Sequence, residues 1–275
     1  MNRALTLKGI DFPCPGNNRA CYLSFFKALK FQMSLSHPSA CLVFIVTFVL
    51  HQVVFLMEIT SIQNKIQQYL GDGKRLFTTS SFQTHSVVLL HILSRIDRNI
   101  PVYFINTGYH FPETIMYKEE VAAALGLRVI DLHPRVPKIM QRNREGNLLF
   151  TSDPDYCCFL NKVQPVEGLL ELYDVWISGV RADQNTHRRQ LPEEAPLEHN
   201  TLRYHPVLHW TVQMVEAYIG HFGLPRHPLE EKGYSSIGCE PCTRPAEKDD
   251  KRGGRWYGQK KTECGLNAEL IQKKN

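Results

Sequence analysis

The chain has no run of about 20 apolar residues, the length a bilayer-spanning helix needs. Its longest candidate, residues 41–56 (CLVFIVTFVLHQVVFL), is shorter and carries His51 and Gln52. No small-residue cleavage site follows that run, so a secretory leader is a weak match. A GxxxxGK[ST] phosphate loop is absent, as is any recognition-helix pattern or other nucleic-acid module. The 8 cysteines do not form the framework of a short secreted domain. These absences lead us to expect a protein of a reducing cytoplasm, with no membrane or nucleic-acid partner.

What is present suits one substantial core: 275 residues, 43% of them hydrophobic. The net charge is +5, and Lys248, Lys251, Arg252, Arg255, Lys260 and Lys261 gather near the end. Such a balance favours an anionic substrate or partner, although a solvated basic tail is the plainer reading of charge alone. Residues 1–56 do not resemble the rest. They read as an atypical, non-functional extension, with the functional chain beginning near Met57, and a membrane anchor is the rival that fractionation would decide. Residues 57–245 read as one nucleotide-binding domain and 246–275 as a mobile C-terminal segment.

From Lys74 onward, short β-rich runs alternate with helical ones. RLFTTSS reads as a strand and THSVVLLHILSRI as a helix. VYFINTG is a second strand, FPETIMYKEEVAAALG a helix begun by Pro112 and ended near Gly126, RVIDLHP a third strand and VWISGVR a fourth. This alternation predicts an α/β fold with a parallel twisted sheet covered on both faces. Ligands of such sheets sit at the carboxyl ends of the strands. Two loops there carry suitable chemistry. Residues 78–84 (TTSSFQT) run into a helix whose N–H groups and dipole can hold a phosphate or sulfate, although Ser81 and Thr84 could simply cap the helix. Arg181, Asp183, Arg188 and Arg189 follow the fourth strand, where guanidinium groups could fork onto an anion or form ordinary surface ion pairs.

Cys157 and Cys158 are adjacent, and Cys239 and Cys242 form a CxxC. Adjacent residues, about 3.8 Å apart at Cα, are awkward as a disulfide or on one tetrahedral zinc, and suit two neighbouring irons better. Four thiolates from two segments satisfy a four-iron cluster; structural zinc is the alternative on this spacing. Cys264 lies in a basic segment, where nearby Lys260 and Lys261 favour the thiolate and make it a candidate nucleophile. An inert tail cysteine is the alternative. Cys14, Cys21 and Cys41 show no pairing logic.

Taken together, SSFQTHSVVLLH, INTGYHFPET, DPDYCC, WISGVRADQ, LPRHPLEEKGYSSIGCEPCTRP, GGRW and TECGL resemble the assimilatory adenylylsulfate (APS) reductases, the iron-sulfur branch of the sulfonucleotide reductase family, over about residues 70–267. The resemblance implies a sheet of the adenine nucleotide alpha hydrolase-like type and one 4Fe-4S cluster on Cys157, Cys158, Cys239 and Cys242, with no flavin or NAD. It implies that Cys264 attacks APS and passes through an S-sulfocysteine, giving sulfite and AMP, with thioredoxin or glutaredoxin as reductant. It places Ser80, Ser81, Gln83, Thr84, Lys162, Arg181, Arg188, Arg252 and Arg255 at the substrate, and suggests a homo-oligomer. PAPS reduction, or dual use of both nucleotides, is the alternative activity; a cluster-bearing redox sensor is the alternative class. One departure stands out: the family's motif ends ECGLH, and here Asn267 replaces the histidine, so any titrating role of that histidine is absent.

Overall fold

The computed structural model describes residue 55 and residues 57–246, 254–256, 261, 263 and 265–267. The expected extension over 1–56 therefore lies almost wholly outside the described residues, as do Arg252 and Cys264. No described helix is long and apolar enough to cross a membrane.

The chain enters through a helix, α1 (57–71), which buries Ile62, Ile66 and Tyr69 at helical spacing. Strand β1 (Leu76–Ser80), helix α2 (Thr84–Ile96), strand β2 (Val102–Ile105), helix α3 (Pro112–Leu125) and strand β3 (Val129–Leu132) follow, as the alternation predicted. Helix α3 begins with Pro112 in its first turn, where a missing N–H costs nothing, and stops at Gly126, whose φ of 62° is left-handed. Then come two short helices, α4 (Leu149–Ser152) and α5 (Pro154–Cys158), a π-helical turn (Phe159–Val163), α6 (Gln164–Leu170) and β4 (Val175–Ser178). Strands β5 (Glu194–Pro196) and β6 (Leu202–Tyr204) and helix α7 (Val212–Phe222) complete the regular core.

The six strands run in the order β3-β2-β1-β4-β6-β5. All neighbours are parallel except β5 and β6, which pair antiparallel with Ala195 opposite Arg203. The expected parallel sheet thus carries one antiparallel edge. A short connection suffices for antiparallel neighbours, whereas a parallel pair needs a crossover.

Alternation along the strands sorts the two faces. Phe77, Tyr103 and Trp176 point to one side and pack with Val166, Leu169 and Leu170 of α6. Phe104, next in β2, turns to the other side, where it meets Phe82 and lies beneath the Lys118 ammonium of α3. Tyr69 of α1 contacts Tyr204 edge-on at 5.7 Å. Helices therefore cover both faces, and the free carboxyl ends of β1 and β4 are left to form a site.

Candidate active site

β1 connects onward to β2 on one side while β4 lies on its other side, so these adjacent strand ends form the topological switch point where open α/β sheets bind ligands. A cavity of about 400 Å³ opens there, within the range of small-molecule sites.

The loop after β1 supplies its floor. Phe82 is buried with a left-handed φ of 51°, and its N–H donates to Ser80 Oγ at 3.1 Å. Gln83 precedes α2, whose N-terminus has no side-chain cap. Ser81 and Thr84 therefore do not act as caps. Ser81 Oγ accepts from Gln83 Nε2, and buried Thr84 accepts from the His227 N–H at 2.9 Å. Gln83 Oε1 accepts from the Ile237 N–H at 2.8 Å, tying this loop to the segment before the CxxC. With Gln83, Thr84, His85 and Ser86 all lining the cavity, an uncapped helix N-terminus faces it.

Cations surround this floor. Arg181 lines the cavity, with Nε donating to Asp183 at 3.0 Å and Nη1 contacting His85 Nδ1 at 3.3 Å. Arg255 arrives from the GGRW element, which pairs backbone to backbone with the residues after the CxxC: the Arg244 N–H donates to Gly254 O and the Trp256 N–H to Cys242 O. Its guanidinium occupies the space a side chain on Gly238 would need, since a Cβ there would fall 2.4 Å from Nη2. Arg255 Nε is buried with no hydrogen-bond partner among the described residues. The residue is half-buried and its Nη1 donates to Ser236 Oγ at 3.3 Å, so an anion in the cavity can meet its remaining donors. His110 donates from Nε2 to Ile105 O, and burial pushes its pKa down to about 4, so it enters the cavity neutral.

Arg188 also lines the cavity, and its guanidinium is in addition engaged with the tail. Its Nε and Nη2 fork onto Glu263 at 2.6 and 2.8 Å, and Nη1 bonds Gln184. The group expected at the substrate thus holds the residue that precedes Cys264.

A second, small cavity is lined by Cys157, Cys158, Cys239 and Cys242 together. Local structure brings them there. Asp153 caps α5 by accepting from the Tyr156 N–H at 3.0 Å, and Pro154 opens its first turn, so the tandem cysteines fall at a fixed helix end. Cys239 is set by a backbone bridge to His110 and by the Glu240 N–H donating to Tyr109 O. The π-helical turn follows Cys158 at once and carries Lys162; such widened turns recur at functional sites. Lys162 lines both cavities.

Cys157 and Cys158 are buried, and Cys239 and Cys242 half-buried. Burial, and then the neighbouring Cys158, Cys239 and Cys242, push the Cys157 pKa up to about 12, while Lys162 acts the other way. Asn161 Nδ2 lies 3.6 Å from Cys157 Sγ and Thr107 Oγ1 3.3 Å from Cys239 Sγ. Thiolates at Cys157 and Cys242 are thus unfavourable, and a cationic group would relieve them. Among the described residues, no group of three or more His, Cys, Asp or Glu side chains is arranged to hold a metal ion. The four sulfurs share a cavity without closing on a single-ion site.

Sequence reasoning missed two further residues at the switch point. Arg203 of β6 is buried, stacks on Trp176 with its Cζ 4.0 Å from the ring, and reaches Ser178 and Asn267. Glu263 was passed over inside TECGL, although a carboxylate beside a nucleophile among basic residues was a usable signal.

Comparison with known proteins agrees with this geometry. Residues 75–245 match the phosphoadenosine phosphosulfate reductase domain. The chain is 40% identical over 203 residues to an adenosine 5'-phosphosulfate reductase of Chelativorans sp., covering 73% of this chain and 82% of that protein. It is 36% identical over 201 residues to a phosphoadenosine 5'-phosphosulfate reductase of Gloeobacter violaceus, covering 71% and 83%. Among solved structures, a phosphoadenylyl-sulfate reductase from Candida auris superposes with a TM-score of 0.54 at 24% identity, over 65% of this chain and 88% of that one. By both the sequence match and the fold, this chain belongs to the phosphoadenosine phosphosulfate reductase domain family.

Proposed function

We propose that the protein reduces adenylylsulfate to sulfite and AMP, with Cys264 as the nucleophile and a 4Fe-4S cluster on Cys157, Cys158, Cys239 and Cys242. The observation that carries this reading is Lys162, which borders both the switch-point cavity and the cysteine cavity. The cysteine set fits the cluster: the four cysteines line one cavity, and burial together with the neighbouring thiols disfavours the thiolates of Cys157 and Cys242. When bound, the cluster supplies a fixed charged body beside the substrate's anionic end.

The chain's own residues do the rest. The loop 80–84 and the uncapped start of α2 offer N–H groups and hydroxyls to the phosphosulfate. Arg181, Arg255 and Lys162, which all line the cavity, balance its charge. Cys264 thiolate attacks the sulfonate sulfur; the bond from that sulfur to the bridging oxygen breaks, and its electron pair leaves with the AMP phosphate. A thiolate of thioredoxin or glutaredoxin then attacks Cys264 Sγ, and sulfite departs with the pair that joined it to the cysteine. The mixed disulfide resolves through the reductant's second thiol. Two thiols are oxidised and one sulfonate is reduced. Such thiol chemistry suits a reducing cytoplasm.

PAPS is the second candidate substrate, favoured by the Gloeobacter violaceus relative of that name. Anaerobic protein is mixed with APS or PAPS without reductant, and the Cys264 peptide is weighed beside a Cys264→Ser control. A sulfonate gained from APS, absent in the control, is the expected result; gain from PAPS alone shifts the substrate, and no gain from either ends the reading.

A further inference from the structure

We infer that Asn267 is a positioning residue that seats the Cys264 segment at the switch point, in a contact that does not titrate near neutral pH. The inference rests on the reading of Cys264 as nucleophile.

Asn267 bridges two charged groups. Its Oδ1 accepts from Arg203 Nη2 at 2.7 Å, and its Nδ2 donates toward Glu263 Oε1 at 3.4 Å. Glu263 is in turn forked by Arg188, so a continuous chain runs from Arg203 through Asn267 and Glu263 to Arg188. Both of its tail members are buried: Asn267 is 6% exposed and Glu263 9%. Three further contacts reinforce the seat. Arg203 Nη1 donates to Leu266 O at 3.3 Å, His187 Nε2 donates to Asn267 O at 3.1 Å, and the Leu266 side chain packs against the cluster of Phe77, Tyr103 and Trp176. With the Arg188–Glu263 fork before it and these contacts after it, position 264 is held from both sides in the chain.

The arrangement needs a side chain that accepts from a guanidinium and donates to a carboxylate at once. A carboxamide does both in one fixed charge state. Aspartate would lose the donor and face Glu263 with a like charge. A neutral imidazole could do both, but protonation would remove its acceptor and set a cation against Arg203. Among the described residues, the charged and titratable groups around this position are Arg203, Arg188, Glu263 and His187. Only the residue at 267 changes between the variants below, so the other four are a shared background.

Single-turnover transfer of sulfonate to Cys264 is measured in full-length anaerobic protein, with AMP affinity measured alongside. Asn267→Ala is expected to slow transfer by about tenfold or more, the size of a lost hydrogen bond to a charged partner, while AMP binding holds. Asn267→His is expected to keep transfer near wild type at pH 8 and lose it toward pH 6 more steeply than wild type does. Wild-type transfer rates in Asn267→Ala would overturn the inference. So would an equal loss of AMP affinity in that variant, because Asn267 would then be a nucleotide ligand. If wild-type protein forms no adduct with APS or PAPS, the parent reading fails. Hydrogen exchange over residues 261–267 then tests the seat by itself: faster exchange in Asn267→Ala supports it and unchanged exchange refutes it.

Discussion

The two cavities that share Lys162 are built in opposite ways. The larger grows from the sheet: its floor follows β1, all its arginines but Arg255 follow β4 or sit on β6, and its position is fixed by strand order. The smaller owes little to the sheet. Its sulfurs come from a capped helix end and from a segment more than 80 residues later, the latter fixed by backbone contacts to Tyr109 and His110. The first can exist as a packed surface in its own right, whereas the second gathers groups that repel one another once ionised. Nucleotide binding should therefore survive damage to the cysteine cavity far better than chemistry does.

The largest effect should come from Cys157→Ser. We expect iron and the broad visible absorbance to be lost and sulfite release to fall below detection, while AMP still binds; iron analysis and calorimetry check both halves. Loss of AMP binding as well would mean that the cavities stand or fall together. Lys162→Ala should keep its iron and lose about 10²–10³-fold in kcat/KM, the scale of a removed preorganised charge. Unchanged activity with iron in place would detach the two cavities from each other.

Gly238→Ala addresses the larger cavity alone. Its Cβ would fall 2.4 Å from the Arg255 guanidinium, so that group must move. We expect nucleotide affinity to drop about tenfold, as for a displaced charged hydrogen bond, with iron content intact. The smallest effect belongs to Asp153→Ala, which removes the α5 cap. A loss of about 1 kcal/mol in urea unfolding is expected, with little change in catalysis if the cluster holds the tandem cysteines once assembled.

The same division governs what could be read from the chain. β1 to β4 and the helices between them follow hydrophobic periodicity, and the expected bounds of α2 and α3 match those observed. Strands β5 and β6 gave no such signal, because three-residue strands containing Glu194, Pro196 and Arg203 carry neither alternation nor β-branched enrichment. The π-helical turn was equally silent, since FLNKV reads as ordinary helix. The shared cavity of the four cysteines was legible because tandem and CxxC spacings restrict the available chemistry. The Arg188–Glu263 fork was not: the partners are 75 residues apart, and nothing local to either names the other. Arg203 was hidden for a related reason, since a strand arginine is expected at the surface until its aromatic and amide partners are placed around it.

The antiparallel edge of the sheet also bears on self-association. Glu193 O accepts from the His205 N–H, and the Leu197 N–H donates to Thr201 O, so these residues turn their backbones inward. By alternation, Glu194 and Pro196 turn theirs outward. Pro196 brings no amide proton to that rim, and the Glu194 carboxylate is held by Lys65 and Tyr69. A foreign strand approaching here would find a ladder with a missing rung and a charge in its path. β5 is therefore a poor edge for strand-to-strand pairing between copies of this chain.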